Sequence, residues 1–210
     1  MSILYTYKVK EIVSKIIIME HIYNSLLEKN IFTDKNTVHS YINTYEQLFE
    51  KKCESAENVL EVGIGNFSNR NGGSLLLWAE YFKNATITGI DILPIERVYD
   101  EVIQHPRIKT YTRSNAYNVE FVHGNVKEKL DIAIDDGPHT LESMIDFIKL
   151  YSPLLKDDGI LVVEDVQNYD WIEYLKLAVP EELRKYIKIF DLRKNKNRYD
   201  DILFVIDKSI

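Results

Sequence analysis

The chain has 210 residues, 45% of them apolar and 28% charged, a formal net charge of −7 and a pI near 5.3, which suits one large domain or a domain with a short appendage. The acidic balance argues against a nucleic-acid partner, and the single cysteine, Cys53, excludes an intrachain disulfide framework and a multi-cysteine zinc site. No run reaches the ~18 apolar residues of a membrane span, and the N-terminus has no signal-peptide pattern, so the expectation is a cytoplasmic protein with no membrane partner.

Two helices are expected first. Residues 8–29 carry Val9, Ile12, Val13, Ile16, Ile17, Met19 and Ile22 at mostly helical spacing, with Asn30 as a stop. Their broad apolar face suggests a surface for a second copy, hence a homo-oligomer. A second helix is expected from Asn36 or Thr37, presenting Val38, Tyr41, Ile42, Tyr45, Leu48 and Phe49 on one face, with Cys53 buried and inert near its end. Residues 1–52 are thus expected to be a helical cap or oligomerisation segment.

From residue 58 the pattern changes. Short runs rich in Val and Ile fall at 58–62, 85–91, 107–111, 130–135, 159–165, 186–192 and 201–206, with helical stretches clearest at 74–83, 140–155 and 170–178. That alternation predicts an α/β fold with a seven-stranded, mostly parallel sheet covered on both faces. The last two runs are separated by RKNKNRYD, too short for a parallel crossover, so the final strand is expected to be antiparallel.

Open sheets of this kind bind ligands beyond the carboxyl ends of their strands. The first strand ends in Glu61, Gly63 and Gly65, and Gly72, Gly73 and Ser74 open the next helix. A dinucleotide fingerprint would need glycine at position 68, where the chain has Ser68. The pattern suits instead a ligand without pyrophosphate whose amino group meets a carboxylate. Asp91 ends the second strand, where an acid accepts the two ribose hydroxyls of an adenosine group. Asp135, Asp136 and His139 follow the fourth strand, and Glu164 and Asp165 end the fifth. Clustered carboxylates repel unless a cation intervenes, and Asp136, Glu164 and Asp165 offer hard oxygen ligands suited to magnesium. His139, three residues beyond Asp136, is placed to act as a general base.

These residues carry a resemblance. LEVGIGNFSNRNGGSLLLWAEYF with GIDI, then IDDGPH, then VVEDVQ, and upstream TDKNTVHSYINTYEQLF, resemble the metal-dependent, S-adenosylmethionine-using sugar O-methyltransferases of the macrocin, mycinamicin and rhamnosyl type, over about residues 33–168. The resemblance implies a class I methyltransferase (Rossmann-like) domain over residues 53–210, with S-adenosyl-L-methionine and Mg2+ as cofactors and a small-molecule or glycan hydroxyl as acceptor. It places Glu61, Gly63 and Gly65 on the methionine part of the donor and Asp91 on its ribose, with Ser74 and Asp135 nearby. It also implies Asp136, Glu164 and Asp165 as metal ligands and Asp136 and His139 as the catalytic pair. An acidic stretch usual after the third strand is replaced by Arg113, Ser114, Asn115 and Ala116, leaving Ser114 and Asn115 as the expected adenine contacts. Pro138 stands where serine is commoner. Three other readings remain: a metal-dependent catechol or phenol O-methyltransferase, a nicotinamide-dependent oxidoreductase, which Ser68 disfavours, and a non-catalytic donor-binding protein.

Overall fold

A computed structural model describes residues 18–65 and 70–210. The expected helical positions 8–17 and Ser68 lie outside the described residues.

Seven strands form one sheet. They are β1 (Asn58–Val62), β2 (Thr86–Ile90), β3 (Ile108–Tyr111), β4 (Leu130–Asp135), β5 (Leu155–Val163), β6 (Ile187–Asp191) and β7 (Ile202–Asp207). Their order is β3-β2-β1-β4-β5-β7-β6, parallel from β1 to β5, with β7 antiparallel to both β5 and β6. The antiparallel last strand is as the short 192–201 connection dictates.

Strand alternation divides the core into two layers. Val59, Ile87, Ile132, Ile134, Ile160, Val162, Leu203 and Val205 face one side, against helical residues 18–28 (α1), α2 (Asp34–Thr37), α3 (Ile42–Phe49), α4 (Gly73–Tyr81) and α5 (Asp100–Ile103). Leu60, Val62, Ile90, Ala133, Leu161, Val163, Phe204 and Ile206 face the other, against α6 (Val119–Asn125), α7 (Leu141–Tyr151) and α8 (Trp171–Ala178). A short α9 (Arg193–Lys196) lies between β6 and β7. Helix α4 is apolar on nearly all sides, as a helix enclosed by other elements must be. Its Trp78 meets Tyr45 and Phe49 edge-on, welding the N-terminal helices to the sheet layer; losing such a buried ring costs roughly 3–5 kcal/mol. Helix α7 starts at Thr140, whose hydroxyl accepts the Ser143 N–H while Ser143 Oγ accepts the Thr140 N–H.

Three expectations need correction. The helix expected from residue 36 onward is two helices, α2 and α3, with a break between them where the Tyr41 N–H donates to the Lys35 carbonyl. Val38 falls in the break and is exposed. The stretch 140–155 ends its α-helix at Tyr151, passes through one 3-10 turn, and enters β5 four residues earlier than the apolar run indicated. Cys53 sits in a turn after α3, only half-buried, and its thiol donates to the Glu50 carbonyl. Within α1, Met19, Tyr23 and Leu26 are buried in the chain's own core.

Candidate active site

The register aligns Val62 with Ile90 and Asp135, and Asp135 with Val163. One residue further along each strand stand Gly63, Asp91, Asp136 and Glu164, in a row along the carboxyl edge of the sheet. Such close approach needs glycine in the row: Gly63 has φ +77°, and a Cβ there would lie 1.9 Å from the Asp136 carbonyl oxygen.

Alternation also decides which way the acids point. Glu61 is two residues beyond Val59, Asp136 two beyond Ile134, and Glu164 two beyond Val162, so all three face the layer of N-terminal helices. There Lys35 of α2, with no exposed side-chain surface, meets them: its Nζ is 2.8 Å from Asp136 Oδ2, 2.8 Å from Glu164 Oε2 and 3.2 Å from Glu61 Oε1. The Tyr45 hydroxyl donates to Glu164 Oε1, and the Tyr41 hydroxyl donates to Asp165. His39 Nδ1 lies 2.6 Å from Asp201 Oδ1 and 3.2 Å from Asp165 Oδ1. Asp165 has φ +53°, a left-handed conformation that costs a non-glycine residue about 1–2 kcal/mol and turns its carboxylate to Tyr41. The break between α2 and α3 has the same origin, since it lets Lys35, His39 and Tyr41 all reach the acids.

Three carboxylates, Glu61, Glu164 and the part-buried Asp136, therefore meet Lys35, while the buried Asp165 beside them meets the two histidines. Burial pushes the pKa of Glu61 up to about 7 despite the pull of Lys35. Burial and then repulsion by Asp136 push that of Asp165 up to about 8. Asp136 and Glu164 are raised as well, by burial first, with Lys35 opposing. Burial would lower the pKa of Lys35, but Asp136, Glu164 and Glu61 overcome it and hold the ammonium well above its usual range. The donor set is hard, oxygen-rich and in excess of its fixed positive charge, which is what a divalent cation requires. Three groupings among the described residues bring ligand atoms within 4.8 Å of one another: Glu61–Asp136–Glu164 and Asp136–His139–Asp165, with Asp136 common to both, and His39–Asp200–Asp201.

His139 bears on the second grouping. It has φ +53°, and its Nε2 is 3.7 Å from Asp136 Oδ1 and 3.6 Å from Asp165 Oδ2. Burial lowers its pKa, so at neutral pH the imidazole is free to accept a proton.

On the other side of Asp136 lies a cavity of about 420 Å³, lined by Val62, Gly63, Ile90, Asp91, Ile92, Leu93, Ser114, Asn115, Ala116, Tyr117, Asp136, Gly137 and Pro138. Asp91 is anchored there by the N–H groups of Ile64 (2.7 Å) and Leu93 (2.8 Å), one on each carboxylate oxygen. The remaining lone pairs are available to a ligand.

Of the residues singled out from sequence, Gly63, Asp91, Ser114, Asn115 and Asp136 line the cavity, whereas Glu61, Gly65, Ser74 and Asp135 do not. Glu61 is fully buried behind it and accepts from Ser74 Oγ at 2.7 Å. Asp135 faces the opposite layer and accepts from the hydroxyl of Tyr117 at 2.5 Å; burial pushes its pKa up to about 7. It thus holds a residue of the cavity wall. Glu164 and Asp165 share the edge with Asp136 but turn to different partners, Lys35 and Tyr45 for one, Tyr41 and His39 for the other. Sequence reading missed Lys35, His39, Tyr41 and Tyr45 as polar members of the site and Tyr117 as part of the cavity wall. Polar groups recurring on the inward face of residues 35–45 were the available signal, hidden by the apolar character of the tyrosines.

No family model matches the chain. It is 30% identical over 142 residues to the 8-demethyl-8-alpha-L-rhamnosyl tetracenomycin-C 2'-O-methyltransferase of Streptomyces olivaceus, covering 66% of this chain and 36% of that protein. It is 29% identical over 163 residues to the mycinamicin VI 2''-O-methyltransferase of Micromonospora griseorubida, covering 75% and 39%. The chain thus spans little more than a third of the length of these curated relatives. Among solved structures, the MycE methyltransferase of the mycinamycin biosynthetic pathway, in complex with Mg, SAH and mycinamycin VI, superposes with a TM-score of 0.66 at 21% identity, over 86% of this chain and 53% of that one. In sequence the chain is thus similar to sugar O-methyltransferases of the mycinamicin and rhamnosyl type, and its sheet order and superposition give it the class I methyltransferase fold.

Proposed function

We propose that the protein is an S-adenosylmethionine-dependent O-methyltransferase acting, with a divalent cation, on a hydroxyl of a sugar or glycosylated small molecule. The observation that carries this reading is the double position of Asp136. It lines the cavity on one side and faces Lys35 and His139, among the buried acids, on the other. A ligand in the cavity and a cation held by the acids would therefore share one boundary residue.

In this reading Asp91 takes the ribose hydroxyls, Ser114 and Asn115 flank the adenine, and Gly63 lets the backbone approach the donor. Glu61, behind the cavity wall, supplies negative charge on the side of the donor's amino group. Asp136, Glu164 and Asp165 would hold magnesium, which when bound lowers the pKa of a coordinated hydroxyl and stabilises the alkoxide. His139 Nε2 takes the acceptor proton. The acceptor oxygen then forms its bond to the methyl carbon while the carbon–sulfur bond breaks with its electron pair remaining on sulfur. Positioning supplies much of the acceleration, because the sulfonium is already a good leaving group. Residues 1–52 form the cap in this scheme, its support being that Lys35, Tyr41 and Tyr45 reach the acids from that segment.

Transfer of labelled methyl from S-adenosylmethionine to panels of glycosides and catechols tests the proposal. Mg2+-dependent labelling of glycosides is expected, and EDTA should abolish turnover while S-adenosylhomocysteine still binds. Undiminished turnover in EDTA, or labelling of catechols alone, would overturn it.

A further inference from the structure

Lys35 is the feature of the site with no role in the scheme above. It is fully buried, and its three partners come from three different strand ends: Glu61 from β1, Asp136 after β4 and Glu164 after β5. Its position is fixed by packing as well as charge. Gly73, at the start of α4, allows the Phe32 carbonyl to approach so closely that a Cβ there would lie 2.0 Å from its oxygen. Tyr41 and Tyr45, flanking the same acids, are buried in the aromatic stack of Tyr45, Phe49 and Trp78. The ammonium is therefore built into the fold and does not reach the acids on a mobile surface side chain. A fixed unit positive charge 2.8 Å from two of the acids that would hold a divalent cation must repel that cation, while holding together carboxylates that would otherwise repel one another.

We propose that Lys35 is a built-in counter-ion of the acidic site, one that keeps Glu61, Asp136 and Glu164 gathered before a metal arrives and sets the divalent-cation affinity lower than these acids alone would give. Binding would then be reversible and responsive to the free Mg2+ concentration. This inference rests on the reading of Asp136 and Glu164 as metal ligands. A residue that merely packed would show neither effect in combination: its loss would loosen the site and weaken metal binding.

The test compares the full-length protein with Lys35→Met by calorimetric titration with MgCl2 and by thermal unfolding in EDTA and in excess Mg2+. Lys35→Met is expected to bind Mg2+ at least about tenfold more tightly, because a like charge has been removed beside the ion. In EDTA it should melt about 10 °C lower, as expected when a buried ion pair loses one partner. Mg2+ should raise its melting temperature further than it raises that of the wild type. Mg2+ binding that is unchanged or weaker in Lys35→Met overturns the proposal, whatever the melting temperature does. Where Lys35→Met fails to fold, the pair K35M/E164Q, which removes one charge of each sign, is expected to fold, and its failure to do so also overturns the proposal. Absence of any Mg2+ binding by the wild type would instead refute the metal-ligand reading; the EDTA melting comparison then still decides whether Lys35 gathers the acids. Binding of S-adenosylhomocysteine by the wild type, measured alongside, reads the methyltransferase assignment separately.

Discussion

The two edges of the sheet each bury charge, and they handle it differently. At the amino edge, Asp131 at the start of β4 is buried, but its Oδ2 accepts the N–H groups of Glu57 and Asn58 at 2.9 Å each and lies 3.0 Å from Lys156 Nζ. Lys52 stands 3.7 Å from Oδ1 and bonds Asp158 at 2.6 Å. Lysines and backbone donors there satisfy the acids within the fold. At the carboxyl edge, Glu61, Asp136, Glu164 and Asp165 share Lys35, two tyrosines and two histidines. A structural charge cluster is closed, whereas a functional one is left short of positive charge and depends on what it binds. In the proposed function, identical residue types thus serve stability at one end and chemistry at the other.

Substitutions on the two edges should separate these roles. The largest effect is expected from His139→Ala, which should lower kcat by about 10²–10⁴-fold while leaving S-adenosylhomocysteine affinity unchanged, measured by steady-state kinetics and calorimetry. An unaltered kcat would assign proton removal to another group. Next, Asp131→Ala should cost about 1–3 kcal/mol by leaving two part-buried N–H donors without their acceptor, seen as a lower urea midpoint, with kcat per folded molecule unchanged. A loss of turnover instead would erase the distinction between the edges.

The smallest expected effect is a pH trend. In the folded chain Glu61 and Asp165 have pKa values raised to about 7 and about 8, above those of unfolded carboxyls. The folded state therefore binds more protons than the unfolded state between roughly pH 4 and pH 8, and stability must fall as pH rises through that window. Melting in EDTA is expected to move to lower temperature from pH 5 to pH 8, and saturating Mg2+ to flatten the trend. A melting temperature that rises with pH in EDTA would show that the carboxyl edge is as well balanced as the amino edge.

Much of this organisation is legible in the chain itself. Val and Ile runs marked all seven strands, because a sheet covered on both faces demands continuous apolar segments. The shortness of the 192–201 connection dictated the direction of β7. Asp91, Asp136, Glu164 and Asp165 were conspicuous because acids at strand ends interrupt those runs. The break between α2 and α3 was not legible, since Val38, Tyr41 and Tyr45 keep helical spacing across it. Nor was the division of labour between Asp135 and Asp136, which depends on which layer each faces one residue apart.

Local pattern, then, determined the strands, their polar ends and the histidine beside them, because periodicity and turn chemistry act over a few residues. Only the folded chain decided that Lys35, His39, Tyr41 and Tyr45 converge on acids 100 and more residues away, that Glu61 lies behind the cavity wall, and that Glu164 and Asp165 turn to different partners. The reason is physical: a buried charge is placed by whichever opposite charge the packing brings to it, and the sequence around either group does not say which partner that is.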